Sequence, residues 1–496
     1  MSRPNYTMQL KGATQRCLIV ILTLVQKKFF RSFTGLLLLA LTSPFAVFAQ
    51  QQVLTLENVL DIVKKYHPVA RQAALGVDSA RAALLAARGG FDPSIYVNNQ
   101  QKTFNGKNYY FYTNPELKIP TWYGVDLKAG LEDNGGERIT REATQGRSSY
   151  VGVTVPLLKN LATDKRRTTV QQAKITVRQS EAARLNEVNN LLYDAASAYW
   201  NWVKEYGVFK IFEEAVAINE QRIKLVRGSF AGGDRAAIDT VEALTQLQNF
   251  QLLASEAQVR WMTSGFELSN FLWLDNDQPY ELSSNVVPDT LVDGVKIENN
   301  PIPSLEDILL TAKANHPKLQ TYDRKLDALQ AERRLKFQSM LPTLNVNYNF
   351  LSKGYKPWKG IGQNVFENNY KYGFEFGLPL LLRQGRGDYK TAKIKIQINQ
   401  LEKDQVGLEI ENKIKKSYNQ LLALRQQVKI GEDAYDNYLR LLKAEEVKFS
   451  IGESSLFLLN SRESKVLEAR QKLLELKTKF FKELVALQWS AGTLGT

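Results

Sequence analysis

The chain has 496 residues, a formal charge of +14, a single cysteine (Cys17) and two histidines (His67 and His316). Six basic residues and no acidic one fall in the first 49, so the remainder carries +8, and its charges interleave along helical stretches (Lys174, Arg178, Glu181, Arg184, Glu187). That pattern is a solvated helix face, which removes the case for a nucleic-acid partner, and two histidines leave too little for a His-based triad, so no enzyme is expected.

Residues 1–49 read as a secretory signal: Arg3, Lys11, Arg16, Lys27, Lys28 and Arg31 precede the apolar run Leu36 to Leu41, and Val47, Phe48 and Ala49 form a small-residue cleavage site. Cleavage is expected after Ala49. Beyond it no stretch is long and apolar enough for a membrane-spanning helix, so a secreted chain of this kind enters a membrane only as a closed β-barrel. That points to an outer membrane.

Residues 54–68 (LTLENVLDIVKKYHP) and 303–317 (PSLEDILLTAKANHP) align without a gap at an offset of 249, and Pro93 meets Pro342 at the same offset. A duplication of this size predicts two structural repeats in one elongated architecture. The expected boundaries are 50–275 and 304–491, with a linker over 276–303 and a tail over 492–496. His67 and His316 fall on equivalent positions, each before a proline at a helix boundary, which reads as a structural bend and not as a metal site.

Alternating segments follow in each copy, about 94–156 and 343–380. Val125, Leu127, Ala129 and Leu131 alternate with Asp126, Lys128, Gly130 and Glu132; further runs are Val151, Val153, Val155, then Leu344 to Phe350 and Tyr372 to Leu378. Period two with one apolar and one polar face suits strands between lipid and a wet lumen. Four or five strands per chain are expected. Tyr109 to Trp122, with Pro115 and Pro120, has no counterpart in the second copy and reads as enlarged loops or an added hairpin.

Proline then vanishes from 157–278 and 380–496. Because proline costs about 3 kcal/mol in a helix interior, these windows mark unbroken helix. Heptad-spaced residues run through the first (Val170, Val177, Leu191, Ala195, Trp202, Phe209, Val216, Ile223, Phe230) and the second (Tyr418, Leu421, Val428, Tyr435, Leu442, Phe449). Gly232 and Gly233, then Gly452, are the turn signals, so each window predicts a helical hairpin, about 160–275 and 386–491. The first arm alone amounts to roughly 100 Å. Trp200, Trp202 and Trp261 read as seam packing, while Gly377, Gly385 and Gly387 fit a strand-to-helix transition and lack the lysine of a phosphate loop.

LTLENVL with YHP, YVGVTVPLL, GFEFGLPLLLRQGRG and the turns FAGGDRAAID and FSIGESSLFLLN together resemble the TolC family of outer-membrane efflux and secretion ducts, over essentially the whole mature chain. The resemblance implies an α+β membrane protein: a homotrimer whose shared outer-membrane β-barrel, set in outer-membrane lipid, continues into a long periplasmic α-helical barrel. It also implies a passive duct without cofactors, served by a periplasmic adaptor (membrane fusion) protein and an inner-membrane pump, and gated at the helical tips. The tip residues so implied are Phe230, Gly233, Arg235, Asp239, Phe449, Gly452, Leu456 and Leu458. Asp239 reads equally as a gate acid and as a helix N-terminal acid favoured by the dipole. The second tip departs from some members of the family, with Ser454, Leu458 and Ser461 where they carry an arginine and two aspartates, and Leu456 to Leu459 suggest an apolar constriction or a docking surface. A non-conducting coiled-coil scaffold that binds envelope partners is the alternative; two-faced strands favour the duct.

Overall fold

The computed structural model describes residues 52–140, 143–283, 285–289, 297, 301–355 and 369–495. The signal segment lies outside them, as do most of the linker and Thr496. The chain divides into a small unit, Met1–Gln52 with Ser284–Val286, and a large one, Val53–Ser283 with Val287–Thr496. In the small unit the Gln52 N–H donates to the Asn285 carbonyl at 3.2 Å. Gln52 opens a short strand, β1 (Gln52–Leu54), and Val286 opens another, β6 (Val286–Pro288). Everything below belongs to the large unit.

Two short helices, α1 (Leu56–Tyr66) and α2 (Pro68–Arg88), lead into four strands. Thr55 caps α1 by accepting from Asn58 N, and His67 caps α2 through its ring, accepting from Val69 N at 3.2 Å with Pro68 as the first helical residue. Proline suits that position because its missing N–H would have had no partner. The same arrangement recurs at α5 (Leu305–Asn315) and α6 (Pro317–Gln338), where Ser304 and His316 are the caps. The histidines therefore make the bend as cap acceptors.

Among the described residues, six strands form one antiparallel sheet: β2 (Ser94–Phe104), β3 (Lys107–Pro120), β4 (Asp126–Gly135), β5 (Gly146–Pro156), β7 (Thr343–Lys353) and β8 (Tyr370–Gly377), in that order. This corrects the expectation of four or five. Most of the Tyr109 to Trp122 region is strand, β3 ending at Pro120 and pairing with β2 from Tyr110 to Lys118, and its prolines cost little: the β3–β4 ladder drops out at Asn114 and Pro115 and resumes in the same register at Glu116 opposite Gly130. Registers place Ile95, Leu117, Ala129, Val151, Phe350 and Tyr370 on one face, with Leu127, Val153, Tyr348 and Tyr372 beside them. Lys118, Asp126, Glu116 and Tyr150 lie on the other, joined by the Lys118–Asp126 ion pair at 3.1 Å and by the Tyr150 hydroxyl donating to Glu116 at 2.6 Å.

The strands give way to α3 (Lys165–Ala231) with α4 (Ala237–Ser269), and to α7 (Arg383–Ser450) with α8 (Leu456–Ala491). At 67 and 68 residues, α3 and α7 are each about 100 Å long. Gly385 and Gly387 fall in the first two turns of α7, just after Leu382 adopts a left-handed conformation. Seam residues Val170, Leu191, Ala195, Trp202, Ile223, Leu421 and Val428 are buried, and α3 packs against α2, α4, α6 and α8. The tryptophans serve this packing: Trp200 stacks on Phe481 of α8 at 4.8 Å and Trp261 on Phe209 at 5.4 Å. None of the described helices is long and apolar enough to cross a membrane.

Candidate functional site at the helical tips

Both hairpins turn by the same backbone device. In the first, Gly233 is left-handed at φ 83°, Gly233 N donates to Phe230 O and Asp234 N donates to Ser229 O. In the second, Gly452 is left-handed at φ 81°, Gly452 N donates to Phe449 O and Glu453 N donates to Lys448 O. These paired bonds satisfy carbonyls that a helix end leaves open, and the positive φ is why glycine stands at both positions.

The returning helices start differently. Ala236, ahead of α4, offers no side-chain cap, and Asp239 in the first turn supplies the negative charge that the helix dipole favours. Ser455 caps α8, its hydroxyl accepting from Leu458 N at 3.3 Å. Ser454 donates to Glu445 of α7 at 2.6 Å, and with Arg462 at 3.6 Å this holds the Glu445 carboxyl below the usual carboxylate range.

Arg235 is directed at the other hairpin of its own chain. Its guanidinium lies over the Phe449 ring at 3.9 Å, donates to the Phe449 carbonyl at 3.2 Å and stands 3.8 Å from Asp239. A cation there meets both the ring face and the negative end of α7. Phe449 of α7 in turn packs on a cluster of Ile223, Val226, Ala243, Leu247, Leu456 and Leu459 from α3, α4 and α8, so all four long helices meet there. Leu456 is therefore interior, at 1% exposure, whereas Leu458 and Phe457 are 45% and 67% exposed. Of the sequence-derived tip residues, Arg235, Asp239, Phe449 and Leu456 come together. Phe230 and Leu458 face outward.

A second constellation, absent from the sequence reading, lies behind this cluster. Glu463 of α8 is buried and receives both Arg222 guanidinium nitrogens, one of them at 3.1 Å; the Asn219 amide donates to it at 3.3 Å, and Asn460 reaches Glu242 of α4 at 3.3 Å. A signal was present. Asn219 falls between Val216 and Ile223 on the seam, and Glu463 between Leu459 and Val466, so both are polar residues at apolar heptad positions.

Residues 308–493 match the family model described as Outer membrane efflux protein. Similar solved structures include the CmeC outer membrane channel of Campylobacter jejuni, 17% identical with a TM-score of 0.61, covering 88% of this chain and 85% of that one. The open state of the MtrE outer membrane channel of Neisseria gonorrhoeae is 14% identical with a TM-score of 0.61, covering 91% and 94%. The outer membrane protein VceC of Vibrio cholerae is 12% identical with a TM-score of 0.58, covering 88% and 96%. No curated protein matches the sequence. The fold is thus the one these outer membrane channels have.

Proposed function

We propose that this protein is the passive outer-membrane exit duct of a tripartite efflux pump or a type I secretion system. The observation that carries the reading is a sheet with one apolar and one polar face joined directly to two unbroken helical hairpins. Such a sheet separates lipid from water only when closed, and a closed barrel has no edges to satisfy elsewhere. Three copies share the barrel and the helical conduit below it, each built from two structural repeats over about 50–275 and 304–491. The barrel sits in the outer membrane and the helices extend into the periplasm, where an adaptor and an inner-membrane pump dock. Energy and cargo choice come from that pump.

The gate in this reading is the ring of tips. Asp239 and Arg235 brace it from inside each protomer, and outward-facing Leu458 and Phe230 approach the neighbouring copies or the adaptor. Conductance of purified protein in a planar bilayer tests the reading, with native mass spectrometry of the same sample in detergent. Three chains and discrete pore events are the expected result. An assembled protein that never conducts, even with its tips mutated, would favour the coiled-coil scaffold.

A further inference from the structure

The sheet ends at β2 on one side and β8 on the other, and among the described residues neither has a partner on its outer side. Both edges are apolar on the same face as the sheet between them: Ile95 and Val97 on β2 are 73% and 64% exposed, Phe374 and Phe376 on β8 are 71% and 59% exposed. A long apolar edge invites pairing, and lipid does not tolerate an open one. Because strand direction alternates across six strands, β8 of one copy meets β2 of the next antiparallel, as every other pair in the sheet is.

The added β2–β3 hairpin is built into the sheet, not laid beside it. Tyr150 of β5 lies across Gly130 of β4, where a Cβ would stand 2.4 Å from the ring, and its hydroxyl reaches Glu116 on β3. Phe111 of β3 fills the space over Gly135 of β4 in the same way. One aromatic thus spans three strands and another crosses the β3–β4 seam, so β3 cannot leave without exposing Gly135 and stripping the Tyr150 hydroxyl of its Glu116 acceptor.

Resting on the trimeric reading above, we propose that β2 pairs with β8 of a neighbouring copy, so that three six-stranded sheets close one eighteen-stranded barrel. The stagger supports closure. Following the registers from Ser94 through Lys118, Lys128, Gly152 and Asn349 leads to Lys371, six residues before β8 ends at Gly377. Ser94 and Gly377 are both the strand ends next to helices, and the proposed closure sets these ends at one level around the three-fold axis. That stagger of six per copy corresponds to a strand tilt of about 35°, in the range of membrane barrels. The backbone diameter is then roughly 34 Å, against roughly 23 Å for twelve strands. The barrel is a wide outlet, and the narrowest point of the duct lies in the helices.

The stagger places Ile95 beside Phe376 of the next copy. In a Cys17→Ser background, Ile95→Cys would be combined in turn with Phe374→Cys, Phe376→Cys and Leu378→Cys, then oxidised in membranes and run without reductant. Within one chain these positions are five strand spacings apart, about 24 Å, too far for a disulfide, so a bond means two copies. Covalent dimers and trimers from at least one pair are expected. Leu127→Cys with the same β8 positions is the counter-test, since β4 would meet β8 only if β2 and β3 stood outside a twelve-stranded barrel. Cross-links from Leu127 and none from Ile95 overturn the eighteen-stranded closure but leave the trimeric duct standing, as does an assembled trimer that no Ile95 pair links. A monomer by native mass spectrometry removes the reading beneath it.

Discussion

The two halves of the chain use the same backbone solutions and fill them with different side chains. His67 and His316 cap equivalent helices through the same ring nitrogen, and Gly233 and Gly452 turn equivalent hairpins at nearly the same φ. Their surroundings diverge. His316 is held by burial, and by Lys318 and Lys413, at a pKa of about 4, whereas His67 is lowered by burial and partly restored by a hydrogen bond with the Asn270 backbone. The first tip closes with Arg235 on a neighbouring helix end, the second with a serine cap and an apolar turn. Backbone geometry is set locally and so repeats. Side-chain chemistry is set by what lies opposite, and here each half lies opposite the other.

The largest effect should come from the network that joins the halves. Glu463→Ala leaves the Arg222 guanidinium partly buried without its carboxylate, and breaking such a pair costs about 3–5 kcal/mol. The thermal midpoint of the detergent-solubilised protein should fall, and Arg222→Leu with Glu463→Leu should recover much of the loss. Equal damage in the double variant would mean that packing, not an orphaned charge, is responsible.

Next is the pH dependence of the two caps. With a folded pKa of about 4 against 6.5 unfolded, His316 takes up protons more readily in the unfolded chain, so its stabilisation is complete above pH 6.5 and is lost as pH falls to 4. The full span is about 3 kcal/mol. His316→Asn keeps a cap acceptor but removes the titration, and should flatten midpoint against pH over that window more than His67→Asn does. Identical profiles for the two variants would contradict the difference in burial.

Gly233→Ala and Gly452→Ala test the shared part of the comparison. A Cβ at either glycine meets nothing within 4 Å, so each substitution costs only the left-handed strain, about 1–2 kcal/mol. Chemical denaturation should give equal losses at the two tips. Unequal losses would reveal a contact made in the assembly and not within one chain.

The smallest energies belong to the proposed gate. Asp239 and Arg235 form a partly exposed pair worth about 0–1 kcal/mol, so Asp239→Ala should raise resting conductance only modestly. Leu458→Asp, placing repelling carboxylates on an outward face, should raise it further, and the two together should exceed either. Conductance unchanged in both single variants, with assembly intact, would locate the constriction elsewhere.

Much of this was legible because it depends on short-range rules. Absence of proline over 157–278 and 380–496 located the unbroken helices, and the glycines located their turns. Alternation found β4, β5, β7 and β8, but β2 and β3 carry Asn, Gln, Tyr and two prolines and alternate weakly. Strand character there comes from pairing with neighbours, which periodicity does not record. At the tips the sequence identified Arg235 and Leu456 as residues of interest without their orientation. One reaches across to Phe449 and the other is enclosed by four helices.

The sequence by itself determined the order of elements, the lengths of the helices, the turn positions and the face of each regular strand, since steric limits on φ and hydrophobic period act within a few residues. Tertiary structure alone decided that the sheet has six strands, that the two hairpins are tied by Arg222 and Glu463, and that His316 is driven to a lower pKa than an ordinary imidazole. Each of those depends on groups tens to hundreds of residues apart in the chain. Only packing brings them within reach of one another.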